Sequence, residues 1–343
     1  MLFTSLLAIT LLFIVSLGIV IFASAHFTRK LGAFCEMFQF SPGILSLMSA
    51  LGANIPNYVS AAAAIMGGHM DLGMGIILGS NIYNIAIILG LCTLFTPTGN
   101  GIHLNTQERH HVRKVAWYMF AITLGVWWMS ALLPGSPFTG MFSAVPLMHI
   151  LLLFSAILIF AIFGGFLVYI LRYSHPEHVD AVIVHHAPAQ PKTPLAIVRL
   201  SSEILILLAI ALGGVMVMVQ SGQILTNDLH IPTVLTGLLV LAVATSLPNT
   251  IVAISLVRIG KVAACTEEIC SSASINIVLG IVLPGVIWAG ALQDRFLLFL
   301  DSPFLLILTA GVLYGLVRGR LSRLLGIVLL GLYVVWVVLR FWV

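Results

Sequence analysis

The chain has 343 residues, of which 60% are hydrophobic and 8% charged, and its mean hydropathy is +1.15. This apolar share exceeds the roughly 45–50% of soluble domains, so the composition excludes an ordinary soluble protein and predicts an all-α integral membrane protein. The net charge of +4 does not indicate a nucleic-acid partner, because basic residues in a membrane protein mainly report topology. The four cysteines have no CxxC spacing and are predicted to be small packing residues.

Ten apolar segments have the length of about 20 residues that a helix needs to cross a bilayer. The first is predicted to be a retained span, because it lacks a basic n-region and is longer than the apolar part of a signal peptide. The predicted spans cover residues 2–25, 43–66, 72–95, 114–133, 147–171, 198–220, 232–258, 263–289, 297–317 and 321–342.

The distribution of basic residues supports this topology. Ten spans put both termini on one side, and if that side is outside, thirteen of the fifteen lysines and arginines face the cytoplasm. Only Arg295 and Arg340 do not. We therefore predict a bacterial inner-membrane protein with both termini outside the cytoplasm. An aromatic belt is predicted from tryptophans near span ends, namely Trp127, Trp128, Trp336 and Trp342.

One long polar connection, residues 173–197, separates a first half at 1–172 from a second half at 198–343. Each half has five predicted spans, and an odd number implies that related halves are inverted with respect to each other. The connection is either a disordered linker or a transition-metal site, since imidazole and carboxylate ligands suit zinc or nickel. Its candidate ligands are His175, Glu177, His178, Asp180, His185 and His186.

The two halves share a repeat at a constant offset of 192 residues. The matching pairs include Pro56 and Pro248, Asn57 and Asn249, Gly68 and Gly260, Ser80 and Ser272, and Asn84 and Asn276. A proline in mid-span removes one helical hydrogen bond and frees a carbonyl, which membranes tolerate where the backbone faces a cavity. The serine and asparagine that follow are four residues apart and share a helix face. The pattern predicts a transporter site between two proline-broken spans, two and seven, and two polar helix faces.

The segments GANIPNYVS and GGHMDLGMGIILGSNIYNIAIILG resemble the alpha-repeat of the cation/calcium antiporter superfamily, which includes the sodium/calcium exchangers. That motif reads roughly G-T-S-L-P-E, followed by D-L-A-x-G-N-x-x-G-S-N-x-x-N. The matches are Pro56, Asp71, Leu72, Gly79, Ser80, Asn81 and Asn84 in the first repeat, and ATSLP, Ser272 and Asn276 in the second. The resemblance implies ten transmembrane helices in two inverted five-helix repeats, and antiport by alternating access.

Several positions depart from this motif. The residue after each proline is normally glutamate, which the resemblance implies is the principal cation ligand, but here it is Asn57 or Asn249. Asn54 stands where the first repeat usually has serine, and Ala273 replaces the second repeat's asparagine. The site is therefore predicted to be neutral. Amide oxygens still suit hard cations, but the loss of two carboxylates weakens divalent binding.

Glu268 lies four residues before Ser272 on the same helix face. Two interpretations remain open for it. It is a cation ligand or proton carrier of the site, or, together with Glu267, it balances Arg258 and Lys261 near the cytoplasmic mouth.

The predicted ion-binding or substrate-binding residues are Asn57, Ser80, Asn81, Asn84, Thr245, Ser246, Asn249, Glu268, Ser272 and Asn276, with Asn54 and Glu267 as further metal-site candidates. No catalytic residue and no cofactor is predicted. His110 and His111 are predicted to belong to a solvated cytoplasmic connection. His69 and Asp71 are interpreted as a polar helix start at the external mouth, with a pH-sensing gate as the alternative.

The leading hypothesis is a secondary-active, sodium/calcium exchanger-like antiporter with altered selectivity or coupling, whose ions are Na+, H+, Ca2+ or another cation. The alternative is an exporter of a polar organic molecule or metal chelate on the same fold. An intramembrane enzyme is disfavoured, because neither HExxH nor GxSxG is present. The predicted partners are the lipid bilayer and a small ion or polar substrate, and the sequence does not fix an oligomeric state.

Overall fold

The structure is a computed structural model that describes residues 2–38, 42–96, 99, 101–133, 145–173, 193–228, 232–288 and 290–342. The described helices are α1 (Leu2–Met37), α2 (Pro42–Ala53), α3 (Ile55–Met66), α4 (Met70–Leu94), α5 (Thr106–Ala131), α6 (Val145–Tyr173), α7 (Pro194–Asp228), α8 (Thr233–Leu235 continuing as Thr236–Arg258), α9 (Val262–Ile287), α10 (Leu297–Val317) and α11 (Arg323–Trp342). Two short strands, β1 (Ile102–His103) and β2 (Arg320–Leu321), pair antiparallel. The six candidate metal ligands of the polar connection lie outside the described residues.

Eight of these helices, α1, α4 and α6 to α11, are long and apolar enough to cross a membrane. The second predicted span, 43–66, is wrong as a single helix, because the chain leaves helical geometry at Asn54 and divides it into α2 and α3. The fourth, 114–133, overlaps α5, which ends at Ala131. The first turns of α5 carry charged residues, and α5 does not belong to the eight. The count of ten spans therefore stays a prediction.

The 192-residue offset reappears in the backbone. Helix α4 begins at Met70 and α9 at Val262, and 262 − 70 = 192. The turn before each helix contains a glycine with positive φ, Gly68 at 85° and Gly260 at 79°. Each helix then contains a π-helical turn, Asn84–Ile88 in α4 and Val278–Val282 in α9. The repeat seen in sequence is thus a repeat of local structure.

Helices α4 and α9 form the centre of the molecule. In the most apolar stretch of each, 83% of the residues are buried, compared with 22% in α1, α7 and α11. Helices α4 and α8 approach so closely at Gly79 that a Cβ atom at this position would lie 2.2 Å from the Leu238 carbonyl oxygen. This central position brings the polar faces of α4 and α9 together inside the protein.

The aromatic belt was predicted from four tryptophans, and the structure buries one of them. Trp127, Trp128 and Trp342 are exposed, but the prediction is wrong for Trp336, which is fully buried and donates from Nε1 to Asp301 Oδ1 at 2.8 Å. A buried indole needs a partner for its N–H, and the acidic side chain of α10 supplies one.

Candidate functional site

Asn54 connects the two asparagines that follow the repeated prolines. Its side chain lies at the break between α2 and α3, where φ is −98° and ψ is 0°. The oxygen Oδ1 accepts hydrogen bonds from Asn249 Nδ2 of α8 at 2.7 Å and from Asn57 Nδ2 of α3 at 3.2 Å. All three side chains are buried. The predicted site residues of the two halves therefore meet on one shared acceptor.

The hydrogen-bond network around Asn54 extends to α9 and α4. Asn54 Nδ2 donates to Ser272 Oγ at 2.7 Å and to the Ala50 carbonyl at 2.7 Å. Ser272 Oγ donates in turn to Glu268 Oε1 at 3.3 Å. Ser80 Oγ donates to Asn57 Oδ1 at 3.5 Å, so a serine from α4 completes the network. The offset pairs Asn54 with Ser246, and this shared polarity is the signal that marks position 54 in the sequence.

A second group of bonds lies between α4 and α9. Asn81 Nδ2 donates to the Ala273 carbonyl at 3.1 Å, and Asn276 Nδ2 donates to Asn81 Oδ1 at 3.2 Å. Asn81 and Ala273 are equivalent under the 192-residue offset. Two equivalent residues, one from each half of the chain, are therefore in direct contact.

Four oxygens of predicted site residues are buried and have no hydrogen-bond partner among the described residues. They are Asn84 Oδ1, Ser246 Oγ, Asn249 Oδ1 and Asn276 Oδ1. The Asn84 nitrogen Nδ2 is also unpartnered. A buried polar atom without a partner costs about 1–3 kcal/mol, so each of these atoms calls for an explanation.

Thr245 differs from its neighbours in the candidate set. Its hydroxyl donates back to the Leu241 carbonyl at 2.7 Å, one turn earlier in α8. This pattern is common for threonine in helices and satisfies the hydroxyl locally. The structure buries Thr245 without joining it to the Asn54 network.

The two prolines do not act alike. Pro56 lies in the first turn of α3, where its missing N–H is not needed. Pro248 lies inside α8, and the helix continues through it. The prediction of two proline-broken spans is therefore correct for the first repeat and wrong for the second, because α8 loses one hydrogen bond at Pro248 without breaking.

The prediction of a solvated His111 is wrong, although His110 is exposed. Only 3% of His111 is exposed, and its Nε2 lies 3.2 Å from Glu267 Oε2. Its Nδ1 lies 3.0 Å from the hydroxyl of Tyr169 on α6. Neighbouring carboxylates on α9 thus have different partners, His111 for Glu267 and Ser272 for Glu268.

The remaining candidates from the sequence are His69 and Asp71. His69 is exposed, and Asp71 Oδ1 accepts from the backbone N–H of Gln293 at 3.1 Å. Cys92, Cys265 and Cys270 are buried and form no disulfide. In the part of the chain that the structure describes, no group of three or more His, Cys, Asp or Glu side chains is arranged to hold a metal ion.

Comparison with known proteins decides the family. The sequence profile described as "Sodium/calcium exchanger protein" matches residues 8–172 and 202–342, well over half of the chain. The chain belongs to the sodium/calcium exchanger family. The resemblance in the repeats is confirmed, and this family is one of membrane transporters and not an enzyme class.

Two curated proteins are similar to this exchanger over almost its whole length. The inner membrane protein YrbG of Escherichia coli is 27% identical over 97% of both chains. The putative antiporter CaxA of Alkalimonas amylolytica is 25% identical and covers 94% of this chain and 96% of its own. The crystal structure of the H+/Ca2+ exchanger CAX superposes with a TM-score of 0.72 at 18% identity, over 98% of this chain and 88% of that chain. That likeness shows a shared fold.

Proposed function

We propose that this exchanger is a secondary-active cation antiporter of a bacterial inner membrane, with a neutral, amide-rich and hydroxyl-rich site between α3, α4, α8 and α9. The observation that carries the proposal is the set of four buried, unpartnered oxygens on Asn84, Ser246, Asn249 and Asn276. Similarity to YrbG, named as an inner membrane protein, supports the location.

A bound cation would give these oxygens a partner. Amide and hydroxyl oxygens are hard ligands of the kind that alkali and alkaline-earth ions accept. Three of the four lie one or two turns along a helix from a residue of the hydrogen-bonded network, so they face the same interior as Asn54. Folding without the ion leaves them unsatisfied, and ion binding removes that penalty.

The charge of the site sets its selectivity. A carboxylate about 4 Å from a unit charge contributes about 4 kcal/mol at an effective dielectric constant of 20, and more for a dication. Asn57 and Asn249 supply no such charge. The site therefore favours a monovalent cation such as Na+, and it binds a divalent cation such as Ca2+ only with the help of Glu268, which is buried and bonded to Ser272.

The proposed transport mechanism, alternating access, rests on the repeat of the two halves. Two inverted five-helix halves, at 1–172 and 198–343, would expose the central site alternately to each side. The ten-span topology with both termini outside the cytoplasm belongs to this proposal. Glu268 serves either as a ligand in its ionised form or as a carrier of one proton in its neutral form.

One observation favours the second candidate, a polar organic cargo. Asn84 Nδ2 is a buried hydrogen-bond donor without a partner in the described chain, and a bare cation cannot satisfy a donor. A small polar molecule with an acceptor group would. The hydrogen-bonding capacity of the site suits such a ligand, so the flux experiment includes it as an outcome.

The test is ion flux into proteoliposomes that contain the full chain. Uptake of ²²Na+ and ⁴⁵Ca2+ is measured under an imposed pH gradient and under an opposing sodium or calcium gradient. We expect gradient-driven Na+ flux that exceeds Ca2+ flux and is lost in Asn57→Ala/Asn249→Ala. Ser202→Ala, an exposed polar truncation, is the matched control and should transport normally. Absence of both fluxes in folded protein would overturn the cation proposal and favour the organic cargo.

A further inference from the structure

Helices α1 and α7 are equivalent in the repeat and pack against each other. Helix α7 begins 192 residues after the start of α1. Gly214 of α7 faces Val20 of α1, and Gly222, further along α7, faces Phe13, which comes earlier in α1. The two helices therefore run antiparallel. Because most of the apolar stretch of each helix is not buried, this pair borders the bilayer.

A cavity of about 330 Å³ lies between α1 and α7 at one end of the pair. This volume is typical of ligand pockets, which span about 300–1,000 Å³. The lining residues are Lys30 of α1, Thr193 directly before α7, and Leu195, Ala196, Arg199, Leu200 and Glu203 of α7. None of them belongs to the candidate cation site, so the cavity is a separate feature of the molecule.

Glu203 pairs with two cations at this cavity. Its Oε2 lies 2.5 Å from Lys30 Nζ, and its Oε1 lies 3.1 Å from Arg199 Nε. Two cations and one carboxylate leave one net positive charge. The side chain of Arg199 is 80% exposed, and its two terminal nitrogens make no hydrogen bond to any described residue. A guanidinium presents these nitrogens in a fork that fits two oxygens of a phosphate.

The face of α7 that continues from the cavity toward the middle of the helix is apolar and exposed. Ile206 and Ile210 lie seven and eleven residues after Arg199, so they share its face of the helix. Both side chains are exposed, and so is Ile19 of α1, eleven residues before Lys30. A ligand here meets cations at one end and apolar side chains along the rest, which matches the charged headgroup and the acyl chains of a phospholipid.

The opposite end of the helix pair provides an internal comparison. The 192-residue offset relates each charged residue to an uncharged one, namely Lys30 to Gly222, Arg199 to Leu7 and Glu203 to Leu11. Packing of the two equivalent helices therefore does not itself require charges. The positive-inside rule explains the position of a lysine or an arginine, but not that of Glu203 or of the cavity. The charged cavity is specific to one end.

We propose that this cavity binds the phosphate of an anionic phospholipid, whose acyl chains lie along Ile206 and Ile210. Basic pockets between transmembrane helices bind anionic headgroups, and one net positive charge matches the single negative charge of a phosphodiester. Lys30 and Arg199 donate hydrogen bonds to the phosphate oxygens. The bound lipid contacts one helix from each half of the chain and stabilises their contact. This inference goes beyond the proposed antiport and is tested without transport.

Lipid titration of the purified full chain in an uncharged detergent tests the site. The probes are short-chain phosphatidylglycerol, phosphatidylcholine with the same acyl chains, and inorganic phosphate. Thermal unfolding gives the affinity, because a ligand that binds only the folded state raises the unfolding temperature. Native mass spectrometry counts the bound lipids. We expect saturable stabilisation by phosphatidylglycerol, and at least about tenfold weaker binding of the other two probes, which lack either the net charge or the acyl chains.

Two variants remove the cations of the cavity. Lys30→Gln and Arg199→Gln should each weaken phosphatidylglycerol binding about tenfold or more, because each removes a charge-assisted hydrogen bond. Their side chains are 36% and 80% exposed, so both variants should fold. Arg29→Gln is the matched control, because Arg29 is the exposed neighbour of Lys30 and does not line the cavity. Its affinity should stay within about twofold of wild type.

Four other results would each overturn the proposal. Equal weakening in all three variants would mean that lipids respond to the overall charge of the surface. Equal stabilisation by phosphatidylcholine would mean that the anionic charge is not recognised. Inorganic phosphate that binds as tightly as phosphatidylglycerol would mean that the ligand is a free ion. Absence of saturable stabilisation would mean that the cavity is not a site. None of these results depends on ion flux, so failure of the proposed function would be seen separately.

Discussion

Asn249 Nδ2 donates to Asn54 Oδ1 at 2.7 Å, and Asn57 Nδ2 donates to the same oxygen at 3.2 Å. Position 54 thus presents an acceptor, and positions 57 and 249 must both present donors. The amides after the two prolines and the asparagine that replaces the usual serine form one matched set. A carboxylate at 57 or 249 would place two acceptor oxygens against each other.

The donor–acceptor matching at Asn54 predicts what happens when carboxylates are introduced at positions 57 and 249, where the family motif has glutamate. Asn57→Asp/Asn249→Asp keeps the side-chain shape but loses both bonds to Asn54, so we expect a loss of about 1–3 kcal/mol in the free energy of unfolding. Adding Asn54→Ser supplies a hydroxyl that can donate and should recover much of that loss. Thermal unfolding in detergent measures the effect, and a double variant as stable as wild type would contradict the donor–acceptor matching.

The same triple variant should bind calcium more tightly. Each added carboxylate contributes about 4 kcal/mol toward a unit charge at about 4 Å, so we expect at least a tenfold gain in Ca2+ affinity even after desolvation and rearrangement. Calorimetric titration with Ca2+ and Na+ gives the ratio. An unchanged ratio would mean that positions 57 and 249 do not face the cation.

Asn84 and Asn81 form a matched pair for separating function from stability. Both asparagines are fully buried in α4, but Asn81 makes two hydrogen bonds and Asn84 has no partner in the described chain. Asn84→Leu should therefore raise the free energy of unfolding by about 1–3 kcal/mol and abolish transport. Asn81→Leu should lower it by a similar amount. Equal destabilisation of both variants in thermal unfolding would show that Asn84 is not an unsatisfied ligand.

Glu268→Gln tests the charge of the site. Glutamine keeps an acceptor for the Ser272 hydroxyl, which donates to Glu268 at 3.3 Å, so the fold should be preserved. Loss of the carboxylate should weaken Ca2+ binding about tenfold or more and change Na+ binding much less, because Coulomb attraction scales with the ion's charge. Glu203→Gln, at a surface pair with Lys30, is the control. A parallel fall in the affinities for both ions would argue against an electrostatic role.

Arg340, Asp294 and Asp301 form an ion cluster beside Trp336, and substitution of Arg340 tests its contribution to stability. Arg340 is 4% exposed, forms an ion pair with Asp294, and its Nε lies 3.3 Å from Asp301 Oδ2. Arg340→Met leaves the buried Asp301 charge without its cation and should cost about 3–5 kcal/mol in thermal unfolding. Arg318→Met, at an exposed position stacked on Tyr314, should change stability little. A small effect at Arg340 would mean that water compensates Asp301.

The bounds of a helix were predictable where the length of an apolar segment alone determines them. Predicted spans 297–317 and 321–342 agree closely with α10 and α11, because an uninterrupted apolar run has no other stable conformation in lipid. Helices α1 and α7 extend beyond their predicted ends to Met37 and Asp228, because helix ends outside the apolar stretch leave no hydropathy signal. A break in the second span was predictable from Pro56, but the bonds that Asn54 makes at the break were not, since their partners Ser272 and Asn249 lie more than 190 residues away.

By itself, the sequence determined the membrane class, the family resemblance and the 192-residue repeat, because composition and spacing are properties of the chain alone. It also predicted Asn57, Ser80, Asn249, Glu268 and Ser272 as residues of the candidate site. Only the tertiary structure decided that Asn54 is the common partner of Asn57, Asn249 and Ser272. It also decided that His111 is buried against Glu267. Hydrogen bonds between distant segments depend on how helices pack, and one-dimensional spacing holds no record of which donor meets which acceptor.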